Sequence, residues 1–455
     1  MPKSFITTSI AYINAAPHIG FLLELVAADV IARQARLRGK EVFFLTGTDE
    51  HGLKIQQAAQ TAGQEPQQFA DEMTESFRAL CRDFDISNDY FVRTTDPQHV
   101  AFIQETWRQL AKAGAFEKRA YTGWYCTGCE AFKTEREIAE GKCLIHEQPV
   151  EKVEEENWFL PIPPAVKEQI RAWLPAVFPE SKQNEVANIL NDFHEVSVSR
   201  PKEKLQWGIP VPDDETQTMY VWIDALFNYL SGIQLSGRSI ADWWPAQTQI
   251  VGKDILKFHA IIWPALLLAL GYELPKKLLV HGFVNVEGKK MSKSLGNVIT
   301  PEQLKVRYGV DGTRYLLLRQ LNFYDDSNFS WAEFDALYNG ELANGLGNLL
   351  ARTIGLATKA KLSITEVQTP PELAVFPDFQ FDLTAANELI KGADKIITEN
   401  KLWVDPHLKE AELQQVVTLI QEAAYRLQPY MPETAKRINT QLQTLQSEPL
   451  FPRLS

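Results

Sequence analysis

The sequence predicts an α/β protein: a parallel, doubly wound sheet, interrupted by an inserted domain and followed by an α-helical bundle. Three observations carry this. The first fifty residues read as one strand–helix–strand unit. Strand patterning lapses between about Ala115 and Ile209 and then returns. From Trp331 onward, helical periodicity replaces it.

Phe5–Ile10 is β-prone and Ala11–Pro17 reads as a turn. From His18 an apolar-periodic helix runs through Leu22, Leu25, Val26, Val30 and Leu37, with Gly39 placed for a left-handed stop. Glu41–Leu45 is a second strand, apolar enough to be buried on both faces as parallel strands are. Two parallel strands joined by a helix make a right-handed βαβ opening. The dinucleotide signature G-x-G-x-x-G is missing, which removes the main support for a nicotinamide-cofactor reading.

Residues 65–115 look helical. The following stretch carries aromatics, a cysteine cluster, acidic runs and scattered prolines, and reads as the insertion. Strand patterning resumes at Met219–Ile223, Gln249–Val251 and Lys277–Val280, around a helix-like Asp254–Leu270. A Gly/Lys/Ser loop follows at 288–297. In the bundle, Pro370 and Pro371 interrupt the helical pattern and Pro432 sits where a helix can begin. The expected boundaries are 1–114 and 211–281 for the two halves of the sheet domain, 115–210 for the insertion, 282–334 for the loop and the region after it, and 335–455 for the bundle.

Lys and Arg total 46 against 58 Asp and Glu, a net charge of −12, which excludes a chain-wide basic coat for nucleic acid. A local basic surface survives: residues 271–320 hold nine Lys/Arg against four acids. Four cysteines in 455 residues do not make a disulfide scaffold. The N-terminus has no apolar signal core, and Ile255–Leu270 is too short and interrupted to span a bilayer. The expectation is a cytoplasmic protein with no membrane association.

Two short elements carry chemistry. Pro17-His18-Ile19-Gly20 lies where a strand end feeds a helix N-terminus, an anion site in which His18 can donate to a phosphate. Lys290-Met291-Ser292-Lys293-Ser294, between Gly288 and Gly296, puts two lysines three apart on a loop, able to bracket a polyphosphate as its charge shifts. Taken singly, a capping turn with an incidental histidine explains the first as well, while a solvated loop is the weaker reading of the second. A third cluster, Cys126-x-x-Cys129, thirteen residues, then Cys143-x-x-His146, has the spacing of two knuckles holding one tetrahedral Zn2+. Four protein ligands leave no open position, so that zinc would be structural. Cys81 stands apart and reads as a small buried hydrophobe.

In this order and about 270 residues apart, the first two elements resemble the HIGH and KMSKS signatures of class I aminoacyl-tRNA synthetases. Tyr12-Ile13-Asn14, Thr46-Gly47-Thr48-Asp49-Glu50-His51-Gly52, Val221-Trp222-Ile223-Asp224-Ala225 with Tyr229, and Gly252-Lys253-Asp254 with His259 narrow the resemblance to the methionyl-tRNA synthetases, over essentially the whole chain. The resemblance implies a class I Rossmann-type parallel sheet with a zinc-bearing insertion domain and an α-helical C-terminal anticodon-binding bundle. It implies methionine bound by Ile10, Tyr12, Asp49, Trp222, Ala225, Tyr229, Ile255, His259 and Trp263. Asp49 would fix the α-ammonium, and Tyr12 and His259 would be the polar contacts near sulfur. It implies ATP, with Mg2+, bound by His18, Gly20, Glu24, Gly252, Asp254, Lys290, Met291, Ser292, Lys293 and Ser294. Of these, His18, Lys290 and Lys293 would stabilise the reacting phosphates. A helix N-cap is the competing role for Asp254.

Asn348 and Arg352 are four apart on one helical face, and Trp403 follows on a later helix. The resemblance makes them the anticodon-binding set, since a tryptophan stacks an unpaired base while amide and guanidinium read its edge. The implied activity is methionine–tRNA ligation with tRNA(Met), ATP and L-methionine as partners. No module follows the bundle, and a monomer is expected. Two departures stand out. Phe21 occupies the fourth position of the first signature, where the family has histidine, and Ala11 is smaller than the residue usual beside Tyr12. Phe21 cannot donate to a phosphate, and its alternative implication is a catalytically impaired paralogue that binds tRNA or an adenylate.

Overall fold

The computed structural model describes residues 1–128, 131–133, 135–144, 147–291, 296–364, 381 and 383–454. Cys129, His146, Ser292, Lys293, Ser294, Pro370 and Pro371 therefore lie outside the described residues. Contacts divide the chain into two compact units. One holds Met1–Ala16, Gly39–Ala79 and Asn88–His281; the other holds Pro17–Arg38, Leu80–Ser87 and Gly282–Ser455.

The first unit is organised by one sheet of β1 (Lys3–Thr7), β2 (Ala11–Tyr12), β3 (Glu41–Asp49), β4 (Tyr90–Arg93), β5 (Val177–Phe178), β6 (Thr248–Gly252) and β7 (Leu278–His281). Its order is β5-β7-β6-β1-β3-β2, with β4 also on β3. Every pairing is parallel. Val42 through Asp49 are all buried, as the apolar run requires. Asp49, Gly252 and His281 are the last residues of their strands. In an open parallel sheet the carboxyl ends are where ligands bind.

In chain order α1 (Ile19–Leu37) lies between β2 and β3, α2 (Pro97–Lys112) follows β4, α3 (Val221–Leu226) precedes β6, and α4 (Trp263–Ala269) precedes β7. Two expectations are corrected. The run at Met219–Ile223 is not a parallel strand. Only Met219 belongs to a strand, Gln217–Met219, which pairs antiparallel with Ser199–Pro201, and Val221 opens α3. A short run buried on all sides carries no period to separate strand from helix. The helical reading of 65–115 likewise misses β4. This strand of four residues falls between helix Pro66–Asp83 and α2, which Asp96 caps by accepting from the Gln98 N–H at 2.8 Å.

The insertion is an antiparallel sheet in the order Glu195–Ser197, Glu151–Pro161, Glu117–Cys126, Ala131–Lys133. It is accompanied by helices Pro164–Trp173 and Glu180–Asp192. The acidic run Glu154–Glu156 is therefore strand. Its outward members are solvated, while Glu155 is buried and takes Arg200 at 3.0 Å and Lys204 at 2.9 Å.

In the second unit, α5 (Pro301–Gln320) starts at a capping box between Thr300 and Gln303. It is followed by α6 (Asn348–Ala360), α7 (Thr384–Glu399), α8 (Glu410–Leu427) and α9 (Pro432–Thr444). Pro432 opens α9, as expected. Val416, Val417, Ile420, Ala423 and Ala424 give α8 its buried face. α1 belongs to this unit and is tied to α5 by a wholly buried pair, Asp29–Arg314 at 2.6 Å. Cys81 is buried, and that burial pushes its thiol up to about 12. No helix among the described residues is long and apolar enough to cross a membrane.

Candidate active site

Parallel register sets Tyr12 beside Asp49, the closing residue of β3. The Ile13 N–H donates to the Asp49 carbonyl at 3.3 Å, and Asp49 itself is 5 % exposed. A buried carboxylate at a strand end is what an α-ammonium needs. Glu50, the next residue, is fully buried and occupied: Arg93 grips it with two contacts of 2.8 Å, and Thr48, Thr74 and Thr95 donate to it.

Trp222 and Ala225 come from α3, and Tyr229 from the helix that follows. His259 lies in a π-type turn, Phe258–Ile262, that runs into Trp263. Such turns interrupt regular helices frequently at functional sites. Trp222 stacks on Phe258 with centroids 3.8 Å apart and planes 9° apart, and presents an edge to His259. Tyr229 meets both His259 and Trp263 at 5.8 Å. Ile10, Tyr12 and Ile255 are partly buried against the same core.

The hydrogen-bond order in this cluster is fixed by one carbonyl. Ile255 O can only accept, so His259 Nδ1 donates to it at 3.1 Å, and Nε2 accepts from the Tyr229 hydroxyl at 2.7 Å. The Tyr229 hydroxyl is thus joined to the His259 ring. Burial drives the imidazole down to about 4, so it is neutral at working pH. The aromatic wall is polar without being charged, which suits a thioether. The stability contributed by the neutral ring is complete above the ordinary 6.5 and lost as pH falls through about 4. A thermal midpoint no more pH-dependent than that of a His259→Gln variant between about pH 7 and pH 4 would contradict this assignment.

At the end of β6, a Cβ on Gly252 would lie 2.7 Å from Asp254 Oδ1, so any side chain there would turn the Asp254 carboxylate aside. Asp254 is exposed in the first turn of the short helix Lys253–Ile255, whose preceding residue is Gly252, so the capping role is not its role here.

The second unit holds the two signatures. His18 caps α1, its Nδ1 accepting from the Gly20 N–H at 3.0 Å, which leaves Nε2–H as the donor. A Cβ on Gly20 would come within 2.9 Å of the His18 ring, so the glycine makes room for the histidine itself. The Ile19 N–H donates to the Ile299 carbonyl at 3.0 Å, joining the helix start to the exit of the lysine loop. Asn297 closes that loop onto the Lys290 carbonyl at 3.2 Å, and Lys290 is exposed, 5.1 Å above the Phe283 ring. Glu24 is buried on α1, Phe21 is partly buried in its first turn, and Met291 is partly buried.

The family described as tRNA synthetases class I (M) matches residues 4–144 and 135–354. The chain belongs to the class I methionyl-tRNA synthetases. It is 38% identical over 472 residues to the methionine–tRNA ligase of Thermotoga maritima, covering 96% of this chain and 74% of that one. To the methionine–tRNA ligase of a Nostoc species it is 37% identical, with 97% and 90% covered. Its structure matches that of Mycobacterium tuberculosis methionyl-tRNA synthetase in complex with methionyl-adenylate at a TM-score of 0.85 and 32% identity, over 100% of this chain and 99% of the other.

In this methionyl-tRNA synthetase, Asn348 and Arg352 line one groove of about 580 Å³ with Lys391, Asp394 and Thr398 of α7. Arg352 pairs with Asp394 at 2.6 Å. Trp403 lies just past α7 and is 52 % exposed, unusual for so large an apolar ring. Of the zinc set, Cys126 and Cys143 are described. Both are buried in one small cluster with Val150, at the ends of Glu117–Cys126 and Lys142–Cys143. Two buried thiol-bearing residues side by side fit the soft half of a tetrahedral donor set. Sequence reasoning missed Phe258, His99 and the pairing of His51 with Asp224. Phe258 stood next to His259 in a motif block, but nothing local signals its stacking.

Proposed function

We propose that the protein is an ATP-dependent methionine–tRNA ligase that works in two steps. The methionine carboxylate attacks the α-phosphorus of ATP, forming methionyl-adenylate as pyrophosphate leaves. The terminal ribose hydroxyl of tRNA(Met) then attacks the acyl carbon, and AMP leaves. Asp49 holds the α-ammonium; Ile10, Tyr12, Trp222, Ala225, Tyr229, Ile255, His259 and Trp263 enclose the side chain. Gly20, Glu24, Gly252 and Asp254 serve the adenosine. His18, Lys290 and Lys293, with Met291, Ser292 and Ser294 around them, stabilise charge on the phosphates, and Mg2+ enters with the nucleotide. Catalysis is alignment plus electrostatics, with no covalent enzyme intermediate.

The observation that carries this reading is the uncharged Tyr229–His259 pair set among tryptophans, which suits a thioether and not a thiolate. Methionine-dependent ATP–pyrophosphate exchange on purified protein tests it, with cysteine and homocysteine as controls. Phe21 favours a second reading, an impaired paralogue that binds tRNA or adenylate. No exchange with any amino acid, restored by Phe21→His, would select that one.

Cys126, Cys129, Cys143 and His146 would hold one structural Zn2+, which would cross-link the two knuckles. About one equivalent per chain is expected, and Cys126→Ser should unfold the insertion. A fully folded, metal-free preparation would contradict the site. Asn348, Arg352 and Trp403 would read the anticodon. Trp403→Ala should weaken tRNA charging by roughly tenfold or more while sparing exchange; equal loss of both would mean a packing role. A cytoplasmic monomer completes the proposal.

A further inference from the structure

Asp224 lies in α3 between Trp222 and Ala225, with its side chain 1 % exposed. Its Oδ2 is 2.6 Å from His51 Nδ1 and its Oδ1 is 2.7 Å from His99 Nε2. His99, on α2, is fully buried and has its other nitrogen 2.7 Å from the Ser231 hydroxyl. A carboxylate only accepts, so both imidazoles donate to it, and the Ser231 hydroxyl holds the far side of the His99 ring. The chain Ser231–His99–Asp224–His51 thus draws together four separate segments of the first unit.

Burial on its own would push the Asp224 carboxyl up. The charge and hydrogen bond of His51, with those of His99, outweigh it and hold the group below the ordinary carboxylate value. Apolar residues of the same volume would hold these segments without the desolvation penalty, so stability alone is a poor reason for the arrangement. Its placement gives a better one. His51 is two residues beyond Asp49, and the intervening Glu50 is anchored to β4 through Arg93. The His51–Asp224 bond instead joins the Asp49 turn to the helix bearing Trp222 and Ala225.

Resting on the reading of this cluster as the methionine site, we infer that His51, Asp224 and His99 are positioning residues that fix the ammonium-binding turn against the aromatic wall. They set the affinity for methionine and leave nucleotide affinity alone.

The test pairs a disruptive with a conservative change at each histidine. Asparagine places an N–H near Nδ1 and glutamine places one near Nε2, so His51→Asn and His99→Gln keep the donor that His51→Ala and His99→Leu remove. Methionine affinity is read twice, by equilibrium dialysis of labelled methionine and as KM in exchange, with the ATP KM alongside. His51→Ala and His99→Leu are expected to weaken methionine by about tenfold or more with the ATP KM within about twofold, and the conservative variants to recover most of that. Unchanged methionine affinity in a disruptive variant, equal loss for both substrates, or a conservative variant as impaired as its disruptive partner would overturn the inference. If His51→Ala does not fold, the His99 pair reads the other arm. Wild-type protein that binds methionine without exchange would refute the proposed reaction and leave this inference to the dialysis result. Wild-type protein that binds no methionine would refute both.

Discussion

Asp49→Asn should lower kcat/KM for methionine activation by about two to three orders of magnitude, leaving the ATP KM and the thermal midpoint nearly unchanged. The expectation follows from burial and isosterism. Asp49 is 5 % exposed at the end of β3, beside Tyr12, in a turn already anchored at Glu50 by Arg93. A substrate ammonium brought there must be paired, because removing one partner of a buried charge pair costs about 3–5 kcal/mol, and about 1.4 kcal/mol is a factor of ten. Asparagine fills the same volume without the charge. Near-normal activation by this variant would show that the ammonium is held elsewhere.

Arg314→Met should destabilise the second unit by about 3–5 kcal/mol. Arg314 is fully buried and donates to Asp29 at 2.6 Å, to the Tyr430 carbonyl at 2.8 Å, to that of Pro429 at 2.9 Å and to that of Phe84 at 3.1 Å. Methionine supplies the volume and none of the donors, so three carbonyls lose a partner and Asp29 keeps only Arg33 and Ser87. Burial pushes the Asp29 carboxyl up, but Arg314 and then Arg33 outweigh it and hold it below 3.8. A depressed carboxylate stabilises the fold above its unfolded value and loses that contribution as pH falls through the folded one. The gap between wild type and variant should therefore be widest above about pH 5 and narrow below 3.8. Denaturant midpoints at pH 7 and pH 3.5 check this; coincident curves at pH 7 would contradict it.

How far the sequence reached depended on sequence distance. The cap at His18, the stop at Gly39 and the apolar run of β3 are local features, and each was legible. The spacing of Asn348 and Arg352 put both on one helical face, and both line one groove. What escaped is long-range or too short to show a period. β4 has four residues, and α3 has six, too few to show a helical period, and five of them are buried. The pairing of His51 with Asp224 spans 173 positions, and that of His99 with Asp224 spans 125. A histidine read alone says nothing about which carboxylate it will meet. Nor does the sequence show that the Tyr229 hydroxyl meets His259, a bond made only by the turn at Phe258–Ile262.

The central claim is that one buried carboxylate and one uncharged aromatic wall recognise the two ends of methionine. A crystal structure of the protein with methionine bound tests it most directly. The account predicts the ammonium about 3 Å from Asp49 and the thioether among Trp222, Tyr229 and His259, with Tyr229 still donating to the ring. Methionine bound with its ammonium away from Asp49, or a cluster that admits no ligand at saturating methionine, would contradict it.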